Sequence, residues 1–316
     1  MRLIYYQRRD QLSNFGDQLN PWLWRKLLPG VFDQASSTVF VGIGTLLNSA
    51  LPERVAQAEQ VNIFSTGVGY EKPLKQVSPS WRIYCVRGPL SAQKLGLPKR
   101  IGIADGGILL RRFFTPSPQK LTKFAFMPHI HHAKCAGLVW RHLCSQLDIG
   151  YIDPSWSIEQ VLAAIGQTET LLAEAMHGAI AADALRTPWI PIVTSGRILG
   201  FKWLDWCASV GLKYRPQYLK PLTSIYPRLT SGTQSSTRAA RHWSRCIRQQ
   251  PIEALAHLGK DEQQQALYQL RHIMRNTRPN LSKEEKLEQL TLALEERLQQ
   301  LVKDLNLMKG VSNHSS

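Results

Sequence analysis

A chain of 316 residues that is 43% hydrophobic, with 21 glycines spread along it, has enough apolar surface to bury in two ordinary domains or one large one, which argues against disorder over most of its length. The formal net charge of +16 favours polyanionic surfaces: nucleic acid, anionic lipid headgroups or phosphorylated substrates. No apolar run approaches the ~20 residues of a membrane span, and five scattered cysteines make no C-x-x-C pair, so a reducing, cytoplasmic setting without structural zinc is expected.

"MRLIYYQRRD" reads as a buried first strand, its apolar run being too short for a signal peptide. After the loop "NFGDQ" comes a helix opened by Asn20 as N-cap, with Pro21 at its first position. "TVFVGIG", "QVNIFSTGVG", "WRIYCV" and "RIGIADGG" are runs of strand length that end in glycine or a turn. Between the last two, "RGPLSAQKLGL" is a short helix with Pro89 in its first turn and Gly96 as its stop. Continuous apolar strands separated by helices imply a parallel sheet covered on both faces.

A second series follows the junction "TPSPQ" at 115–119: strand "KFAFMP", helix "AKCAGLVWRHLCSQL", strand "IGYID" and helix "SIEQVLAAI" with Ser157 and Gln160 spaced as a capping box. Strand "TETLLAEA", helix "GAIAADALR" and strand "WIPIV" complete a second parallel sheet. The expected division is 1–117, 118–222 and a basic linker with helical extension over 223–316. Within the extension, "SKEEKLEQLTLALEERLQQLVKDLNLM" carries a capping box at Ser282 and Glu285 and one apolar stripe, Leu287, Leu290, Leu294, Leu298, Leu301, Leu305 and Met308. Such a stripe packs on the body, or on a second copy to make a homodimer.

Ligands of doubly wound sheets sit outside the carboxyl ends of strands. The residues there are Asn14, Gly16 and Asp17, then Gly42, Gly44, Gly67 and Gly69, then Arg87 and Asp105. "GIGTLL" has Leu47 where a dinucleotide fingerprint needs its third glycine. Asp17 either caps the first helix or faces the ligand. Arg87 stands between a strand and a helix, where a guanidinium clamps a carboxylate or phosphate, or makes a surface salt bridge. In "PHIHH" no cysteine or acidic neighbour completes a metal set with His129, His131 and His132, and His129, nearest the strand end, is the candidate for substrate contact. "AEAMHGAIAAD" sets His177 at a strand's carboxyl end beside a helix N-terminus, with Glu174 three residues earlier to orient it or raise its pKa. Gly178, Ala179, Ala181 and Ala182 clear space around the ring.

The stretches "NFGDQLNP", "FVGIGTLL", "STGVG", "VRGPLSAQKLGLP", "IADGGILL" and "EAMHGAIAADALRTPWIPI" follow one another over about residues 1–200. As an ordered set they resemble the polysaccharide pyruvyl transferase family, particularly its exopolysaccharide ketal-pyruvate transferase members. The resemblance implies an α/β fold of two Rossmann-like domains facing a cleft, a GT-B-like plan. It also implies phosphoenolpyruvate as donor, no cofactor or metal, and a lipid-linked oligosaccharide or polysaccharide acceptor. The family's frequent Ser-Arg-Leu-His pattern aligns with Glu174-Ala175-Met176-His177, so the histidine carries over while the arginine is missing at Ala175. The family's aspartate-proline turn appears as Asp105-Gly106. Arg87, Arg197 and Lys202 are candidate substitutes for the lost cation, with Asn14, Asp17, Asp105 and His129 lining the cleft.

Forming a ketal from an enol phosphate requires protonation of the enol carbon, and histidine is an ordinary acid for that step, which assigns His177 as catalytic. The basic C-terminal third would bring the enzyme to lipid-linked acceptors, peripheral at the inner face of an anionic membrane. The rival readings are a nucleotide-sugar glycosyltransferase of the same plan and a non-catalytic polyanion binder. Against the latter, the basic residues lack interleaved aromatics or a nucleic-acid motif, so no nucleic-acid partner is expected.

Overall fold

The computed structural model describes residues 1–33, 37–72, 74, 76–196, 198–220, 222 and 260–312. Strands β1 (Arg2–Ile4), β2 (Thr38–Val41), β3 (Gln60–Phe64) and β4 (Trp81–Cys85) lie side by side in chain order, all parallel. Strands β5 (Thr122–Met127), β6 (Gly150–Tyr151), β7 (Thr168–Ala173), β8 (Trp189–Val193) and β9 (Gln217–Tyr218) form a second parallel sheet in the order β6-β5-β7-β8-β9. In that sheet the chain steps outward from β5 to β6 and then returns across β5 to β7. The reversal makes the carboxyl ends of β5 and β7 a topological switch point, where helices diverge to opposite faces and leave a crevice.

The helices are α1 (Phe15–Leu27), α2 (Leu51–Arg54), α3 (Pro89–Lys94), α4 (Ile130–Gln146), α5 (Ile158–Gly166), α6 (Met176–Ala184), α7 (Gly200–Ser209), α8 (Lys260–Asn276) and α9 (Glu284–Ser312). Three local expectations need correction. Helix α1 starts six residues before the expected Pro21 start, with Asn14 as N-cap and Pro21 inside it. A proline there strips the carbonyl four residues back of its partner, and the Asn20 side chain supplies the replacement, its Nδ2 donating to Asp17 O at 3.3 Å and to Ile43 O at 3.1 Å. Around "RIGIADGG" there is no strand but two 3-10 helices, Lys99–Ile101 and Gly106–Arg112, the second capped by Asp105. Ser282 does not cap α9: its N–H donates to Asp183 Oδ1 at 2.9 Å and its hydroxyl donates to Asp183 Oδ2 at 2.5 Å. The capping box of α5 is formed as expected, Ser157 and Gln160 each bonding the other's backbone N–H.

Helices α8 and α9 are built into the two halves. Ala266, Leu267, Leu270 and Ile273 of α8 share a core with Phe126 and Trp140 of the second sheet layer. Leu287, Leu290, Leu294, Leu298 and Leu301 of α9 are buried in the cluster that includes Tyr84, Ile108 and Leu109 of the first half. Each such leucine contributes about 1.5–3 kcal/mol relative to exposure. Tyr84 donates to Asp304 at 2.8 Å, and Arg112 pairs with Glu288 and Glu295 at 2.6 and 2.8 Å. These five leucines of the stripe are therefore covered by the chain's own body, which leaves them unavailable as a homodimer contact. Among the described residues no helix is long and apolar enough to cross a membrane.

Candidate active site

A cleft of about 280 Å³ lies at the switch point, closed on its far side by residues of the first half. Three helix N-termini border it: Asn14 to Asp17 of α1, His129 to His131 of α4, and Ala175 to His177 of α6. The first-turn N–H groups of a helix have no intrahelical acceptor and carry partial positive charge. At α6 the N-cap is Ala175, with no side-chain capping bond, so those N–H groups are left for a ligand.

His177 sits on this turn. Its side chain keeps 18% exposure, but Nε2 is buried, 3.6 Å from the buried Asp105 Oδ2, and neither atom has a hydrogen-bond partner among the described residues. Asp105 Oδ1 is fixed by the N–H of Gly107 at 2.9 Å. The pair joins the two halves, since Asp105 ends the first series and His177 belongs to the second. Asp105 thus stands behind the histidine rather than lining the cleft as expected. Closure by well under an ångström brings the two atoms to hydrogen-bond distance and sets Nε2 as the donor, leaving Nδ1 to the cleft. Gly16 makes room for the ring: a Cβ there would lie 2.2 Å from His177 Nδ1.

Glu174 does not orient His177. It is buried and accepts from His129 N–H at 2.9 Å, from His132 Nδ1 at 2.7 Å and from the Thr194 hydroxyl. Trp140 Nε1 donates to the other ring nitrogen of His132 at 2.7 Å. Burial alone would raise the Glu174 pKa, but the His132 ring and these hydrogen bonds hold it down to about 2. Glu174 and His132 form the strut that ties β7 to the start of α4.

Arg87 is likewise not a clamp. It is fully buried: Nε donates to Asp205 at 3.0 Å, Nη1 to Gly44 O and Thr45 Oγ1 at 3.3 and 3.1 Å, and Nη2 to Val68 O at 2.7 Å. Its fork holds the loops after β2 and β3 against α7, with Gly67 packed on the guanidinium. Of the proposed substitutes for the missing arginine, Lys202 does line the cleft, donating to the Tyr70 hydroxyl at 2.7 Å. Arg197 lies outside the described residues.

Asn14, Asp17 and His129 line the cleft as expected. Asp17 is joined to Asn14 Nδ2 at 2.7 Å, and burial raises its pKa against the pull of that bond and of His177, Arg8 and Lys202. His129 has its pKa driven well below 6.5 by burial, with Lys202 and His131 adding to the effect, so its ring is neutral at pH 7 and offers a hydrogen-bond acceptor. It caps α4, its Nδ1 accepting from His131 N–H at 3.4 Å. Sequence reasoning passed over Arg8, Arg54 and Tyr70, which also line the cleft. Arg8 and Tyr70 each follow a strand end by a few residues, the one signal that could have found them.

A family model described as polysaccharide pyruvyl transferase matches residues 3–196. The succinoglycan biosynthesis protein ExoV of Rhizobium meliloti (strain 1021) is 38% identical over 242 residues, which cover 75% of this chain and 72% of the relative. No solved structure matches the chain. The matched segment spans both sheets from β1 to the loop after β8 and contains Asp105, His177 and every helix N-terminus that borders the cleft. The chain belongs to the polysaccharide pyruvyl transferase family.

Proposed function

We propose that this transferase takes phosphoenolpyruvate as donor and places pyruvate as a ketal on a sugar of an exopolysaccharide, capsule or cell-wall glycan precursor. The two sheets act as a GT-B-like pair of Rossmann-like domains, and the donor lies in the cleft between them. Its carboxylate and phosphate take the free N–H groups of α6 and the Lys202 ammonium, which stand in for the arginine absent at Ala175.

His177, as the imidazolium with its Nε2–H held by Asp105, delivers its Nδ1 proton to C3 of the enol, creating an oxocarbenium-like centre at C2. A sugar hydroxyl adds there and releases its proton. The C2–O bond to phosphate then breaks, the phosphate leaving with one proton, and a second hydroxyl closes the ring with loss of its own. The sum is one donor and one diol giving one ketal and one inorganic phosphate. Asp105 holds the ring so that Nδ1 faces the donor.

The observation that carries this reading is the buried His177–Asp105 contact beside an uncapped helix N-terminus at the switch point. The test is thermal stabilisation by phosphoenolpyruvate and by a panel of nucleotide sugars, on wild type and His177→Ala. Phosphoenolpyruvate is expected to stabilise both proteins, with transfer abolished only in the variant. Stabilisation by a nucleotide sugar alone would overturn the reading.

The acceptor is read as lipid-linked, met at an anionic membrane through basic residues such as those of "TRAARHWSRCIRQQ". Because α8 and α9 are part of the core, this is tested by arginine-to-glutamine changes in that stretch and not by deletion. Unchanged liposome association would remove the idea.

A further inference from the structure

Beside the cleft lies a second, larger hollow of about 890 Å³ that runs along β1. Tyr6, Arg54 and Glu71 line both, so the two spaces adjoin at these three side chains. The hollow is strongly cationic. Arg2, Arg9, Arg25 and Arg54 line it against two acids, Asp33 and Glu71, and the N-terminal ammonium already stands 3.4 Å from Asp33. None of the four guanidiniums is paired with another described residue, and Arg2 Nε is buried without an acceptor. A buried donor of that kind is costly unless a ligand satisfies it, and an anion satisfies it best.

Two tyrosines complete the wall. Tyr5 is half-buried, and Tyr6, 46% exposed, stands at the boundary of the two spaces. A phenol ring offers an apolar face to the C–H face of a pyranose and a hydroxyl to its hydroxyls. Arginines for charge and tyrosines for sugar rings, in a space several times the volume of the cleft, describe a site for a saccharide and not for a second small donor.

We propose that this groove is the acceptor site and that it holds an anionic saccharide, bearing phosphate or carboxylate along Arg2, Arg9 and Arg25, with the sugar to be modified passing Tyr6 into the cleft. The acceptor role rests on reading the cleft as the donor site. The binding chemistry stands on the groove alone.

Calorimetric titration of wild type and the Arg9→Gln/Arg25→Gln variant tests it with three probes: tetragalacturonate, inorganic pyrophosphate and neutral cellotetraose. Both arginines are exposed and pair with no described residue, so the variant should keep the wild-type melting temperature. At least one anionic probe is expected to bind wild type and to lose about tenfold or more in the variant, the loss shrinking as salt screens the charges. Dependence seen with pyrophosphate alone assigns the anion to phosphate, and with tetragalacturonate alone to carboxylate. Equal binding to both proteins, cellotetraose binding as tightly as tetragalacturonate, or no anionic probe binding wild type would each overturn the proposal. Stabilisation by phosphoenolpyruvate, measured on the same samples, reports the donor site separately: its absence sinks the donor reading and leaves the groove's result intact.

Discussion

Replacing Arg87 with leucine separates the two roles that its position suggested. In the folded protein Asp205 would keep the N–H groups of Leu90 and Ser91 and the Ser91 hydroxyl, but lose the one cation paired with it among the described residues. Removing one partner of a buried ion pair costs about 3–5 kcal/mol. The Val68 and Gly44 carbonyls lose their guanidinium donors as well, about 1 kcal/mol each where no water replaces them. A loss of about 5 kcal/mol, at roughly 2 °C per kcal/mol for a chain of this size, lowers the melting temperature by about 10 °C. Arg87→Lys keeps the charge without the planar fork and should recover only part of that fall. Scanning calorimetry at pH 7 measures both variants, with and without phosphoenolpyruvate, and stabilisation by the donor should persist in each. A leucine variant that melts within about 2 °C of wild type yet no longer responds to the donor would refute the structural role and restore Arg87 as an anion clamp.

Three further outcomes are expected. Gly16→Ala puts a methyl 2.2 Å from His177 Nδ1 and turns the ring off Asp105; displacement of a catalytic group on the ångström scale costs about hundredfold in rate, read as phosphate release with acceptor present, and an unchanged rate would take His177 out of the chemistry. Asp17 has a raised pKa, so its favourable contribution is present below about 3.8 and is lost as pH rises through the folded value. Asp17→Asn should therefore melt higher than wild type at pH 7, with the gain vanishing in acid, and a gain that ignores pH would contradict the desolvation argument. For Glu174 the sign reverses: its folded pKa is lowered from 4.5 to about 2, so about 3 kcal/mol of stability holds above pH 4.5 and fades as pH falls towards 2. Urea midpoints of Glu174→Gln should trail wild type at pH 7 and converge with it in that window, and parallel curves would refute the assignment.

What could be read from the sequence was what short-range chemistry determines. The Ser157–Gln160 box closes over three residues, and the strand-to-helix step at Ala173–Met176 is marked by an apolar run giving way to small residues, so α5 and the place of His177 were legible. The start of α1 was not, because tolerance of Pro21 depends on where the Asn20 amide points. Arg87 and Glu174 were misread for a different reason. Their partners, Asp205 and His132, lie 118 and 42 residues away along the chain, and one sequence cannot distinguish a cation aimed at a ligand from one aimed at a distant carboxylate. Asp105 is singled out by a strand that the structure replaces with 3-10 turns, and only the fold shows that it backs the histidine instead of lining the cleft.

The placement of α9 sets a schedule on the ribosome. The strands of the first sheet are complete at Cys85, yet the leucines that cover its edge strand β4 run to Leu301, roughly 200 residues later. At about 5–20 residues per second, that edge waits about 10–40 s for its cover. During this interval a nascent chain displays apolar surface that the finished enzyme never shows. Production of this protein should therefore depend on chaperone supply and translation speed, and any truncation before α9 should yield aggregate rather than a smaller active enzyme.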